Sequence, residues 1–228
     1  MKVSIKLLSV VALCAVASCD VGTTIAGVSG DPGLRVINAF TTTVDVLVDG
    51  NVAIAGLAAG SISTAFAAPG SHTLVLRPTG SGAPVSQSIT TAVGAMSTIA
   101  VVRSSSGTMA SAVLDDTNSV VPAGATKVRV LHLAPNAGTL QVYRTQPDYQ
   151  TPIAWQFPFN YQPDPTSLSA PFLQSTPGSW EVRVWQTPAD ASGWSTAPSK
   201  VIIPLTSGEK ATVVILDKPG GGVRVEVI

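Results

Sequence analysis

Charge is scarce in this sequence. Asp, Glu, Lys and Arg make up 11% of its 228 residues, and 13 cations balance 13 anions. That balance excludes the basic field that nucleic-acid binding requires. With 45% hydrophobic residues the chain is also no disordered polyelectrolyte, and it can bury sizeable cores. Histidine is nearly absent. His72 and His132 stand alone, without H-x-x-x-H spacing or a nearby cysteine, so neither a metal centre nor a cofactor is expected. No serine lies in a G-x-S-x-G turn that would expose a nucleophile. Gly80-Ser81-Gly82 lacks the third glycine of a phosphate loop and lies between expected strands. Convincing helical spacing is missing throughout the body of the chain.

Cysteine is the next shortage, with Cys14 and Cys19 as its two copies. Met1 to Lys6 carries two lysines and no acid, and Leu7 to Ser18 is an almost unbroken apolar run. That is the layout of a secretory signal, and the run falls well short of the roughly 20 residues that a membrane-spanning helix needs. The tetrapeptide Val16-Ala17-Ser18-Cys19 resembles the lipobox of bacterial lipoproteins. The resemblance implies that residues 1–18 are removed and that Cys19 is acylated. The protein would then be tied by membrane lipid in the bacterial cell envelope, facing the periplasm or the cell exterior. Cys14 leaves with the signal, so Cys19 would be the only thiol of the mature chain, which can hold no internal disulfide. The small, polar, glycine-rich stretch that follows completes a flexible tether over residues 19–33. Its 14 residues from Asp20 to Gly33 have a root-mean-square reach of roughly 20 Å.

Beyond the tether, alternating β-branched and polar residues recur, as in Val44-Asp45-Val46-Leu47-Val48-Asp49. Asp49-Gly50 is a hairpin-turn signal, because glycine accepts the positive φ such a turn demands. Self-comparison adds the domain organisation. Leu34-Arg35-Val36-Ile37-Asn38 matches Val128-Arg129-Val130-Leu131-His132, Pro69-Gly70-Ser71 matches Pro177-Gly178-Ser179, and Gly94 to Ile99 matches Gly208 to Val213. The offset grows from 94 to 108 to 114 residues, so the second copy carries insertions, one between about Tyr143 and Pro171 and one between about Gln186 and Pro198. The expected fold is all-β, with two tandem immunoglobulin-like antiparallel β-sandwiches at 34–117 and 126–228 joined by a linker at 118–125.

The run Val128-Arg129-Val130-Leu131-His132-Leu133-Ala134-Pro135-Asn136-Ala137, together with Leu114-Asp115-Asp116 leading into it, resembles the bacterial domain-of-unknown-function family numbered 4397. The resemblance covers nearly everything after the tether. It implies exported, often tandem, immunoglobulin-like sandwiches and no general activity. The first copy departs from the motif, with Asn38 where the second has His132.

Aromatic residues are uneven. Phe40 and Phe66 are the only two in the first copy, and the second holds the other ten. Six of these, Tyr143, Tyr149, Trp155, Phe157, Phe159 and Tyr161, interleave with prolines in the first insertion. Tyr149, Trp155, Phe157 and Tyr161 are candidates for stacking on a sugar or packing on a protein. The alternation of Trp155, Phe157 and Phe159 equally suits one buried face of a strand. Asp115 and Asp116 are candidate calcium ligands near the joint. The functional expectation is a non-enzymatic binding or structural module of the envelope, with an envelope protein or glycan as partner. The alternatives are an adhesin, or a polysaccharide or peptide hydrolase using acids such as Asp148 and Asp164.

Overall fold

The computed structural model describes residues 33–114, 120–146, 153–159, 172–186 and 199–228, with only the backbone of 153–159. The signal segment, Cys19, Asp115, Asp116, Tyr149 and Tyr161 lie outside the described residues, as do Asp148 and Asp164. Every regular element among them is a strand, and no helix among them is long and apolar enough to cross a membrane.

The first unit contains β1 (Gly33–Asn38), β2 (Val44–Val48), β3 (Asn51–Leu57), β4 (Ser61–Phe66), β5 (Gly70–Pro78), β6 (Val85–Thr91), β7 (Met96–Arg103) and β8 (Met109–Leu114). These form two sheets, ordered β4-β1-β7-β8 and β3-β2-β5-β6. The second unit repeats the plan with β9 (Thr126–His132), β10 (Leu140–Thr145), β11 (Ile153–Phe159), β12 (Leu173–Ser175), β13 (Gly178–Gln186), β14 (Ser199–Leu205), β15 (Lys210–Asp217) and β16 (Val223–Val227), ordered β12-β9-β15-β16 and β11-β10-β13-β14. All pairings are antiparallel except β1 with β7 and β9 with β15, which are parallel. Asp49 and Gly50 have φ of 50° and 81°, so both central residues of the β2–β3 hairpin are left-handed, as a type I′ turn requires.

Side-chain alternation explains the layering. In β1, Leu34 and Val36 point inward and meet Val44, Val46, Leu74 and Leu76 of the facing sheet. Ile37 and Ala39 point the other way, where Ala100 and Val102 of β7 join them. The second unit has the same division. Val128, Val130, Val213 and Ile215 fill its own core, while Leu131, Leu133, Val214 and Leu216 face outward. The outward sets of both units form one buried cluster. The units therefore pack back to back as four sheets, and the two central sheets are buried on both faces. Equivalent residues from each copy supply this contact, as in an isologous interface. Near-continuous apolar runs such as Ile99-Ala100-Val101-Val102 are the sequence mark of a sheet covered on both sides.

Strand directions define two ends. β1, β7, β9 and β15 all begin at one end, called the base, where residue 33 sits, and run toward the opposite, far end. The chain leaves β13 at Gln186 and re-enters at Ser199, both at the far end, and β11 also finishes there, with Phe159 in register with Leu140. The stretch expected as one aromatic insertion is thus divided. β10 ends and β11 begins toward the base, with Arg144 in register with Ile153, whereas β11 ends at Phe159 at the far end.

Candidate functional site

A cleft of about 230 Å³ opens at the far end, where both units meet. Phe40 and Gly60 line it from the first unit, and Leu133, Asn136, Asp217 and Lys218 from the second. A second hollow of about 210 Å³ adjoins it around Asn136, Asp217 and Gly221.

Two buried side chains hold the loops that form its walls. His132 ends β9, and its Nδ1 accepts from the Ala134 amide at 3.3 Å while Nε2 lies 2.7 Å from the Gly138 carbonyl. The network assigns the neutral Nε2–H tautomer, and burial pushes the imidazole pKa below its ordinary value, against the upward pull of the Gly138 hydrogen bond. His132 thereby clips the Leu133-to-Gly138 loop, in which Pro135 and Asn136 are the turn residues. Asn38 does the same work in the first unit. Its Oδ1 accepts from the Phe40 amide at 3.1 Å, and its Nδ2 donates to the carbonyls of Thr42 at 2.9 Å and Leu57 at 2.8 Å. A neutral imidazole and a carboxamide each present an acceptor beside an N–H donor group, one N–H in the ring and two in the amide, so the carboxamide can take the same place and hold a second carbonyl as well.

The clipped loop brings Asn136 to Asp217, 81 residues later. The Asn136 side chain donates to Asp217 Oδ2 at 2.9 Å, supported by a longer backbone contact at 3.4 Å. Burial raises the Asp217 pKa above the usual carboxylate value, and the Asn136 hydrogen bonds and the charge of Arg103 from β7 of the first unit oppose that rise. The two units approach very closely here. Arg224 donates to the Gly60 carbonyl, and a Cβ on Gly60, whose φ is +70°, would lie 2.8 Å from the Asp217 carbonyl oxygen.

Among the described residues lining the cleft, Asp217 is the one carboxylate, and glycoside hydrolysis uses a pair. Among the described residues no group of three or more His, Cys, Asp or Glu side chains could hold a metal ion. Each hollow is smaller than the roughly 300 Å³ at which small-molecule pockets begin, a size suited to a protruding group of a larger partner.

Trp155 and Phe157 lie on β11, an edge strand, where Pro158 needs no ladder partner on its open side. β11 separates the segment bearing Tyr149 from the one bearing Tyr161, so the four candidate aromatics do not share one continuous loop. Sequence reasoning did not find Asn136 or Asp217 as cleft residues. The available signal was the Pro-Asn turn after the His132 strand.

Residues 32–143 match the family model described as Domain of unknown function (DUF4397). The chain resembles this family over that stretch, which runs through the first unit into β10 and includes the His132 motif. A comparison with curated proteins gave no match.

Proposed function

We propose that the protein is a lipid-anchored module of the bacterial envelope that binds or braces a partner without catalysing a reaction. One observation carries the reading. Both units contribute to a single cleft at the end away from residue 33, and their shared buried cluster holds its walls in register. A chain tethered at the base presents that end outward. Phe159, Gln186 and Ser199, which flank the two long connections of the second unit, also lie at that end. The small cleft, with an amide, a carboxylate and the Lys218 ammonium, suits hydrogen-bonded contact with an envelope protein or glycan.

Acyl labelling tests the anchor. Labelled fatty acid should enter the wild-type protein and not Cys19→Ala. For the displayed end, binding of the Cys19→Ala protein to purified cell-wall glycan should fall about tenfold in Asn136→Ala and Lys218→Glu. Equal binding by both variants would remove the cleft from the account, and Trp155→Ala and Tyr161→Ala would then test the aromatic segment. Release of soluble fragments from the glycan would replace the binding reading with a hydrolytic one.

A further inference from the structure

Exposed apolar side chains are distributed unequally between the two ends. Phe66, Val93, Met96 and Val120, four of the eight large hydrophobic residues that the described surface exposes, sit at strand ends and connections of the base, and the other four lie along strands. Phe66 is 66% exposed, Val93 74% and Val120 85%. The far end presents glycines and polar residues in their place, in Thr79 to Gly82, Ser104 to Thr108 and Lys218 to Gly222.

The chain emerges from the middle of this apolar group. Gly33 is in register with Phe66 on one side and Met96 on the other, and a Cβ on Gly33 would strike the Met96 thioether at 2.6 Å. Thirteen residues separate Gly33 from Cys19, a root-mean-square span of roughly 20 Å, so an acyl anchor on Cys19 holds this face near the headgroups. We propose that the base of the stack is a lipid-contacting surface, in which Phe66, Val93 and Met96 enter the interfacial layer beside the tether. The proposal rests on the lipid-anchored reading above.

Charge at this end is mixed. Arg35, Lys127 and Lys210 are offset in part by Asp49 and Glu209. Apolar burial therefore supplies the attraction, and headgroup charge contributes little.

Three measurements decide the matter. The Cys19→Ala protein should partition weakly into vesicles, with less than about a twofold difference between phosphatidylcholine and phosphatidylglycerol, and Phe66→Asp with Val93→Asp should weaken it about tenfold. Absence of partition, or partition that ignores both substitutions, overturns the proposal. In the lipidated protein, a polarity-sensitive dye on Phe66→Cys should shift to the blue and be quenched by brominated lipid, whereas the same dye on Ser81→Cys at the far end should not. If the wild type takes up no acyl chains, the anchor fails and the vesicle assay still judges the face. If acyl chains are present and the dye at position 66 stays unquenched, the face fails and the anchor stands. Self-association of the Cys19→Ala protein that Phe66→Asp abolishes would assign the patch to a second copy and overturn the lipid reading. Thermal melts of these exposed variants exclude misfolding as the cause.

Discussion

The first and second units solve the same structural problems with different chemistry. At the end of the first strand, a loop is clipped by the Asn38 carboxamide in one copy and the His132 imidazole in the other. Before the fifth strand, the ring nitrogen His72 Nε2 lies 2.6 Å from the Ala68 carbonyl, and in the second copy Trp180 Nε1 donates to Thr176 at 2.9 Å. What persists is the placement of a donor, and what varies is whether that donor can titrate. The outer sheets differ more. In the first unit the Asp45–Arg77 pair, at 3.1 Å, is open to solvent, whereas in the second Glu181 and Arg183 are paired and buried, with Lys200 at 3.7 Å from Glu181. Tyr143 and Trp185 meet edge to face beside them, 5.6 Å between centroids. The outer face of the second unit has become a second interior.

The contrast between the outer faces breaks most easily. Glu181→Gln removes one partner of a buried pair and should cost about 3 kcal/mol or more in denaturant unfolding. Asp45→Asn on the exposed counterpart should leave the melting temperature nearly unchanged. Equal effects would show that the two faces are not different environments. Next in size is Gly60→Ala, which imposes a left-handed non-glycine residue and a clash with the Asp217 carbonyl. It should cost about 2 kcal/mol, and hydrogen exchange should rise at Leu133 and Leu216 on the far side of the contact.

His132→Asn copies the first unit's solution into the second. It should stay within about 1 kcal/mol of wild type at pH 8, whereas His132→Ala loses about 2 kcal/mol. The sign of the pH effect follows from the lowered pKa of buried His132. Below pH about 6.5 the unfolded chain takes up a proton that the folded one resists, so wild-type stability falls there, and His132→Asn should flatten that slope. A slope that survives His132→Asn would assign the acid sensitivity to another group.

The smallest effect concerns His72, whose pKa is raised by its hydrogen bonds to Asp49 and Ala68 while that of Asp49 is lowered in return. Both ring nitrogens face acceptors, so the folded state favours the imidazolium. The His72 contribution is complete below pH about 6.5 and disappears as pH rises through the raised folded-state value. The melting-temperature gap between wild type and His72→Gln should therefore be present at pH 6 and shrink as pH rises above the ordinary imidazole value. Trp180, which does not titrate, should give Trp180→Phe a gap that does not depend on pH.

Much of the architecture was legible in the residues. Alternation in Val44 to Val48 marks a strand, Asp49-Gly50 its turn, and the three ordered matches mark two copies of one eight-stranded plan. The back-to-back contact was written less openly. Ile37, Ala100, Leu131 and Val214 belong to apolar runs that signal burial on both faces, but such runs do not say which surface supplies the second cover. The far-end cleft was less legible still. Asn136 and Asp217 are ordinary polar residues 81 positions apart, and only the parallel pairing of β9 with β15 brings their neighbourhoods together. The cluster of aromatics was legible in part, since the alternation of Trp155, Phe157 and Phe159 marks β11, whereas nothing in the spacing says that this strand divides the segment into two connections at opposite ends.

The shared cluster also sets an order of events during synthesis. Chains fold from the amino terminus as they emerge, so the first unit is complete while Val214 and Leu216 are still unmade. Until then Ile37, Ala100, Val102 and Leu114 form a naked hydrophobic wall. The nascent protein must pass through an interval in which its own first half is adhesive, and the arrival of β15 ends it.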